Sequence, residues 1–176
     1  ETFVCLDEEE KTFWARRVNA AEVRAGVLDG FDVVMLPGGS ANKMTRGLQE
    51  AGRDRVRDFV RKGGGYVGVC AGAYMGASEP SHYGLGLAAV RCADTKHWRR
   101  GGGQRGDVEA ATLFEEFSGV SKKAQRIFYM NGPSLEIMEV EGLPPVDPLL
   151  TFVSDVHDND APAGVMPGKL AGLRTE

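Results

Sequence analysis

The chemistry-bearing stretch of this sequence is Gly68-Val69-Cys70-Ala71-Gly72, which closes the apolar run "GYVGVC". A cysteine with a glycine two residues to either side fits a strand-to-helix turn so sharp that the central residue takes a strained backbone conformation. Glycines at those places leave room for strand and helix to pass closely. Cys70 would then stand at the start of a helix, where backbone N–H groups can hold negative charge on the sulfur or on a developing oxyanion. A second strand-to-loop exit, "FDVVMLPGGS", supplies the facing set. Without Cβ atoms, Gly38 and Gly39 can turn their N–H groups toward a thiol, as an oxyanion hole requires, and Pro37 stiffens the loop entry. The competing reading of Cys70 is a small buried packing residue, since free cysteine is among the most buried residue types.

Acyl transfer through a thiol still needs a proton donor for the leaving group. Of the three histidines, His157 in "VSDVHDND" is flanked by Asp155, Asp158 and Asp160, any of which can orient an imidazole. His82 follows the expected elbow helix and His97 lies in a basic loop. Each can equally be a surface or capping histidine. The acidic cluster at 155–160 lacks the glycine and closing glutamate of a calcium loop. The three cysteines, Cys5, Cys70 and Cys92, form no CxxC pair and do not group with the histidines, so no metal site is expected. Their odd number and wide spacing fit a reducing compartment rather than a disulfide framework. "KHWRRGGGQR" (96–105) mixes basic residues with Trp98, but Lys plus Arg is 21 against 25 Asp plus Glu, giving −4. A solvated loop is the expected reading, with no nucleic-acid role.

The elements that must position these residues follow from periodicity. "TFVCL" (2–6) and "KTFWARRV" (11–18) read as β segments. "NAAEVRAGVLDG" starts a helix with Asn19 as cap and Glu22 completing a capping box. "FDVVML" is a short continuous apolar run, the pattern of a strand buried on both faces. Residues 42–62 read as a helix with Leu48, Val56, Phe59 and Val60 inward, which Gly47 and Gly52 can divide. "GYVGVC" is the next buried strand, expected beside the first in the sheet centre. Beyond residue 80, 84–92 reads as a strand, 93–107 as a loop, and "VEAATLFEEF" as a short amphipathic segment. "RIFYMNG", "LEIMEV", "LLTFVSDV" and "APAGVM" read as strands, with "GLPPVDP" as a link. Strand-helix alternation in the first half predicts an α/β fold with a parallel sheet; the β-richer second half predicts antiparallel additions. At 176 residues a single domain over 1–176 is expected.

The stretch "VVMLPGGSANKM…VRDFVRKGGGYVGVCAGAYMGAS" resembles the class I glutamine amidotransferase-like superfamily. Within it, the pattern is similar to the domain at the N-terminus of eukaryotic biotin-protein ligases. "FYMNGP" (128–133) resembles a later segment of that family. The resemblance implies a flavodoxin-like three-layer sandwich with a central, mostly parallel sheet. It places Cys70 in the nucleophile position and Gly38, Gly39 and Ala71 near the oxyanion, and it implies that Tyr129 and Asn131 lie near the pocket wall. Glutaminases of the superfamily complete a triad with His-x-Glu near the C-terminus. Here "GKLAGLRTE" carries Glu176 without that histidine, so glutamine hydrolysis is not expected.

Two functions remain open at this point. One is a cysteine-dependent hydrolase or acyl transferase on a small amide or ester, with Cys70 and His157 as catalytic residues. The other is a non-catalytic module that keeps the pocket to bind a small molecule or regulate a partner. Under either, the amides of "PGGS", including Ser40, and of "CAGAY" converge on a small anion or ligand site. The alternative is that Tyr74 or Tyr129 fills the space. No cofactor motif is present. No run reaches the length of a membrane span, and "ETFVCLDEEE" has no secretory pattern, so a cytoplasmic location is expected. The oligomeric state is not legible.

Overall fold

A computed structural model describes residues 14–119 and 125–176. The β segment expected at 2–6, and Cys5 with it, lie outside the described residues. The chain divides into two compact units, the first running through Leu87 and the second from Ala88.

The first unit opens irregularly. Residues 14–19 form no strand, contrary to the expectation for 11–18. Trp14 instead stacks on Phe31, with centroids 5.4 Å apart, and only Val18 of this segment is buried in the core. Alternating apolar and basic residues favour a half-buried strand only where a neighbour offers a ladder. Helix α1 (Ala20–Arg24) starts with the predicted capping box. Asn19 Oδ1 accepts from the Ala21 and Glu22 amides, and Glu22 Oε2 accepts from the Asn19 amide at 2.8 Å. A 3-10 turn over Val27–Gly30 leads to β1 (Val33–Leu36).

Helix α2 (Ala41–Arg61) is capped by Ser40, whose hydroxyl oxygen accepts from the Lys43 amide at 3.3 Å. Met44, Leu48, Val56 and Phe59 form its buried stripe. The helix breaks at Gln49 (φ 58°, ψ −177°), between the two glycines that the sequence offers as breakers. Arg24 of α1 donates to the Gly47 carbonyl beside the break, meeting an acceptor that an interrupted helical ladder leaves exposed.

Strand β2 (Gly65–Gly68) pairs parallel with β1, Val33 opposite Gly65 and Leu36 opposite Gly68. The two are adjacent, as their apolar runs predict. They are not central: among the described residues they form a two-stranded sheet. Nor are they buried on both faces. Val34 and Leu36 are fully buried, while Val67 and Val69 are each 44% exposed. Helix α3 (Ala71–Gly76) follows, then β3 (Ala77–Glu79). The core joins Val23, Leu36, Leu48, Val56, Ala71 and Met75.

The second unit carries an antiparallel sheet, as the strand-rich half predicts, so the chain is α/β, with β1 and β2 paired in parallel. Its strands are β4 (Ala88–Cys92), β5 (Gln104–Ala110), β6 (Gln125–Tyr129), β7 (Leu135–Ile137), β8 (Asp147–Phe152) and β9 (Leu170–Arg174). They run in the order β4-β7-β9-β8-β5-β6. Two strands depart from expectation. β5 occupies the end of the segment read as a loop, because its buried side is the inconspicuous series Gly106, Val108 and Ala110. "APAGVM" is irregular although Met166 is fully buried, and the closing strand is β9 instead. Helix α4 (Thr112–Ser118) is the short amphipathic segment.

Asp94 organises the loop after β4. Its carboxylate accepts from the Lys96 and His97 amides at 3.1 and 3.0 Å. It also pairs with the His97 ring at 3.0 Å and with Arg100, which is 2% exposed and reaches the Val156 carbonyl. Burial pushes the Asp94 carboxyl up, but the His97 amide and ring and the Arg100 charge outweigh it and hold the pKa below its ordinary value. A folded pKa below the unfolded value of about 3.9 stabilises the fold at neutral pH, and that stabilisation is lost as pH falls through the folded pKa. Asp94→Asn should therefore be less stable than wild type at pH 7. Its urea midpoint should also fall less steeply over about pH 5 to 3. Parallel curves for the two proteins would contradict this role.

Candidate functional site

Cys70 sits between β2 and α3 with φ 51° and ψ −102°. A non-glycine residue with positive φ stores strain and persists only where its surroundings fix it. The surroundings here are backbone. A Cβ on Gly72 would lie 2.1 Å from the Leu36 carbonyl oxygen, and one on Gly68 would lie 2.8 Å from the Gly72 carbonyl carbon. Only glycine permits either approach. Three hydrogen bonds close the crossing: Val69 N–H to Leu36 O at 2.9 Å, Gly72 N–H to Val69 O at 2.9 Å, and Gly72 N–H to Pro37 O at 3.3 Å. The glycines flanking the cysteine thus serve the close passage that their spacing predicts.

The Pro37-Gly38-Gly39 loop does face the cysteine. A Cβ on Gly38 would stand 3.4 Å from the Cys70 Cβ and 3.9 Å from its sulfur, so the Gly38 backbone lies directly against that side chain. Gly39 has φ 140°. Among the described residues, no hydrogen bond engages the N–H of Gly38, Gly39 or Ala71. Ser40 spends its hydroxyl oxygen as the α2 cap. Tyr74 lies one turn into α3, its N–H donating to the Cys70 carbonyl at 3.0 Å. Its ring meets Tyr83 edge-on, centroids 6.0 Å apart.

The other residues expected near a pocket belong to the second unit. Tyr129 is buried, donates from its hydroxyl to the Gly132 carbonyl at 2.8 Å, and packs edge-on against Phe152. Asn131 has φ 56°, and its Oδ1 accepts from the Gly101 amide at 3.2 Å. His157 holds Nδ1 3.1 Å from Asp155 Oδ2, with its side chain 55% exposed. Asp155 is one of the three carboxylates that flank it in sequence. His97 is held likewise by Asp94, whereas His82 packs on the Tyr83 ring at 4.1 Å. Among the described residues no group of three or more His, Cys, Asp or Glu could hold a metal ion, and no helix is long and apolar enough to cross a membrane.

One residue at this site escapes the sequence reading. Tyr66 on β2, four residues before the cysteine, donates from its hydroxyl to the Gly72 carbonyl at 2.7 Å. Its ring carbon lies 2.9 Å from where a Gly68 Cβ would be and 3.1 Å from that of Gly76. The signal was present in "GGGYVGVC", but a tyrosine in an apolar run reads as packing.

Residues 29–90, which span β1, α2, β2, α3 and part of β4, match the family model described as biotin-protein ligase, N terminal. That segment is biotin-protein ligase N-terminal-like. A 47-residue stretch is 39% identical to an uncharacterized protein of Chlamydia muridarum (strain MoPn / Nigg). It covers 27% of this chain and 18% of the length of that protein.

Cysteine chemistry separates the two described thiols. Cys92 is buried, and burial pushes its pKa up to about 12. Cys70 is partly exposed. Brief treatment of the folded protein with iodoacetamide at neutral pH should modify Cys70 and leave Cys92 intact until denaturant is added. Peptide mass spectrometry reads the order, and earlier modification of Cys92 would overturn it.

Proposed function

We propose that this chain is a cysteine-dependent hydrolase or acyl transferase acting on a small amide or ester. Cys70 is the nucleophile at a strand-to-helix elbow, within a biotin-protein ligase N-terminal-like segment. The observation that carries the reading is the positive φ of Cys70 beside the Gly38 backbone. A strained, partly exposed cysteine fixed by backbone crossings is costly for packing and useful for presenting sulfur to a substrate. In the reaction, sulfur attacks the carbonyl carbon, and the carbonyl oxygen takes the negative charge. The N–H groups of Gly38, Gly39 and Ala71, which are not engaged within the described protein, are the donors for that charge. The C–O or C–N bond then breaks as the leaving group takes the proton that the thiol gave up, and water or a second acceptor adds to the thioester, returns a proton to sulfur and carries the acyl group away.

The same three amides support a second reading, a module that binds a carboxylate or other small anion without cleaving it. Incubation with p-nitrophenyl acetate distinguishes the two. The enzyme reading expects an acetyl adduct on Cys70 and p-nitrophenol release that Cys70→Ala abolishes. Release unaffected by Cys70→Ala, with no adduct on sulfur, would overturn the enzyme reading. Protection of Cys70 from iodoacetamide by acetate would then favour the module.

A further inference from the structure

We propose that Tyr66 is a positioning residue for Cys70, acting through Gly72 to hold the turn in the conformation that presents the sulfur. The kinetic consequence rests on the cysteine-nucleophile reading; the conformational one does not.

The strain at Cys70 needs restraint from both sides of the turn. On the strand side, the Val69 amide is tied to Leu36. On the helix side, the peptide groups around Gly72 are the anchor. The Gly72 N–H donates to Val69 and Pro37 carbonyls, and its own carbonyl accepts from the Tyr66 hydroxyl. Gly72 is thereby held to the strand before the turn, to the loop facing it, and to a side chain beneath it. Of these ties, only the last comes from a side chain, so it is the one that substitution can remove without rebuilding the backbone. α3 has only six residues, too few to hold its first turn by its own ladder. The tyrosine ring packs closely on the two glycines, 2.9 Å from where a Gly68 Cβ would stand and 3.1 Å from that of Gly76. Burial pushes the phenol pKa upward, so it stays a donor throughout the working range and takes no part as acid or base.

Tyr66→Phe removes the donor and keeps the ring. The alkylation rate of Cys70 by iodoacetamide should fall about three- to tenfold, the factor expected for losing one hydrogen bond to a held conformation. Protection of Cys92 marks the folded fraction, so the rate is read for folded protein alone. The ratio of wild-type to variant rates should not change over about pH 6 to 9, because a phenol well above its ordinary value of about 10 does not titrate there. In the ester assay, kcat should fall by the same factor with KM unchanged. A lower urea midpoint with an unchanged Cys70 rate would show a merely structural role and overturn the proposal, as would a faster rate or a pH-dependent ratio. If wild type shows no Cys70-dependent turnover, the hydrolase reading fails by itself, and the alkylation rates still decide the role of Tyr66.

Discussion

The first unit depends on one backbone crossing, the passage of Gly72 over the carbonyl of Leu36. The approach leaves no space for a Cβ, since one built there falls 2.1 Å from the oxygen. Leu36 and Pro37 end β1 with their carbonyls directed at the next strand and helix, accepting from Val69 and Gly72. The chain must therefore leave β2 and enter α3 within two residues. Cys70, the second of these, absorbs the change of direction in its own φ and ψ. Glycine at that central place would have removed the strain; cysteine bears it.

A six-residue helix has no independent stability. α3 exists because Ala71 and Met75 are buried in a core shared with Leu36, Leu48 and Val56. The local geometry at the cysteine is thus a consequence of packing across the unit. Met44 packs on the first glycine-rich exit: buried on α2, it ends 3.6 Å from where a Gly39 Cβ would stand. The cap at Ser40 fixes where α2 begins, and with it the end of the loop that lies against Cys70.

What was legible in the sequence is what glycine and apolar runs can encode. β1, α2, β2 and their parallel pairing follow from "FDVVML" and "GYVGVC" separated by a helical crossover. The capping box follows from Asn19 and Glu22. The close backbone passage at Gly68 and Gly72 was also readable, because sterics restrict those positions to glycine. Residues 14–18 misled because their alternation describes exposure and cannot show whether a partner strand is present. β5 was hidden because Gly106 and Ala110 fill its buried face without looking apolar. Asp94 and Arg100 looked like loop charges, and only the fold reveals that Arg100 is enclosed with its carboxylate. The side-chain tie from Tyr66 was unreadable for a similar reason: hydroxyl partners are chosen by three-dimensional proximity.

The two described cysteines show why residue type alone does not locate chemistry. Cys92 ends an antiparallel strand opposite Leu135, buried, with its thiol held protonated by desolvation. It is a small apolar residue in all but name. Cys70 follows a parallel strand at a turn tied by backbone hydrogen bonds, and it is partly exposed with the Gly38 backbone against its side chain. Gly68 and Gly72 are required there because the crossing leaves no room for a Cβ. A pattern of small residues around a cysteine therefore carries information about its backbone that the cysteine alone does not.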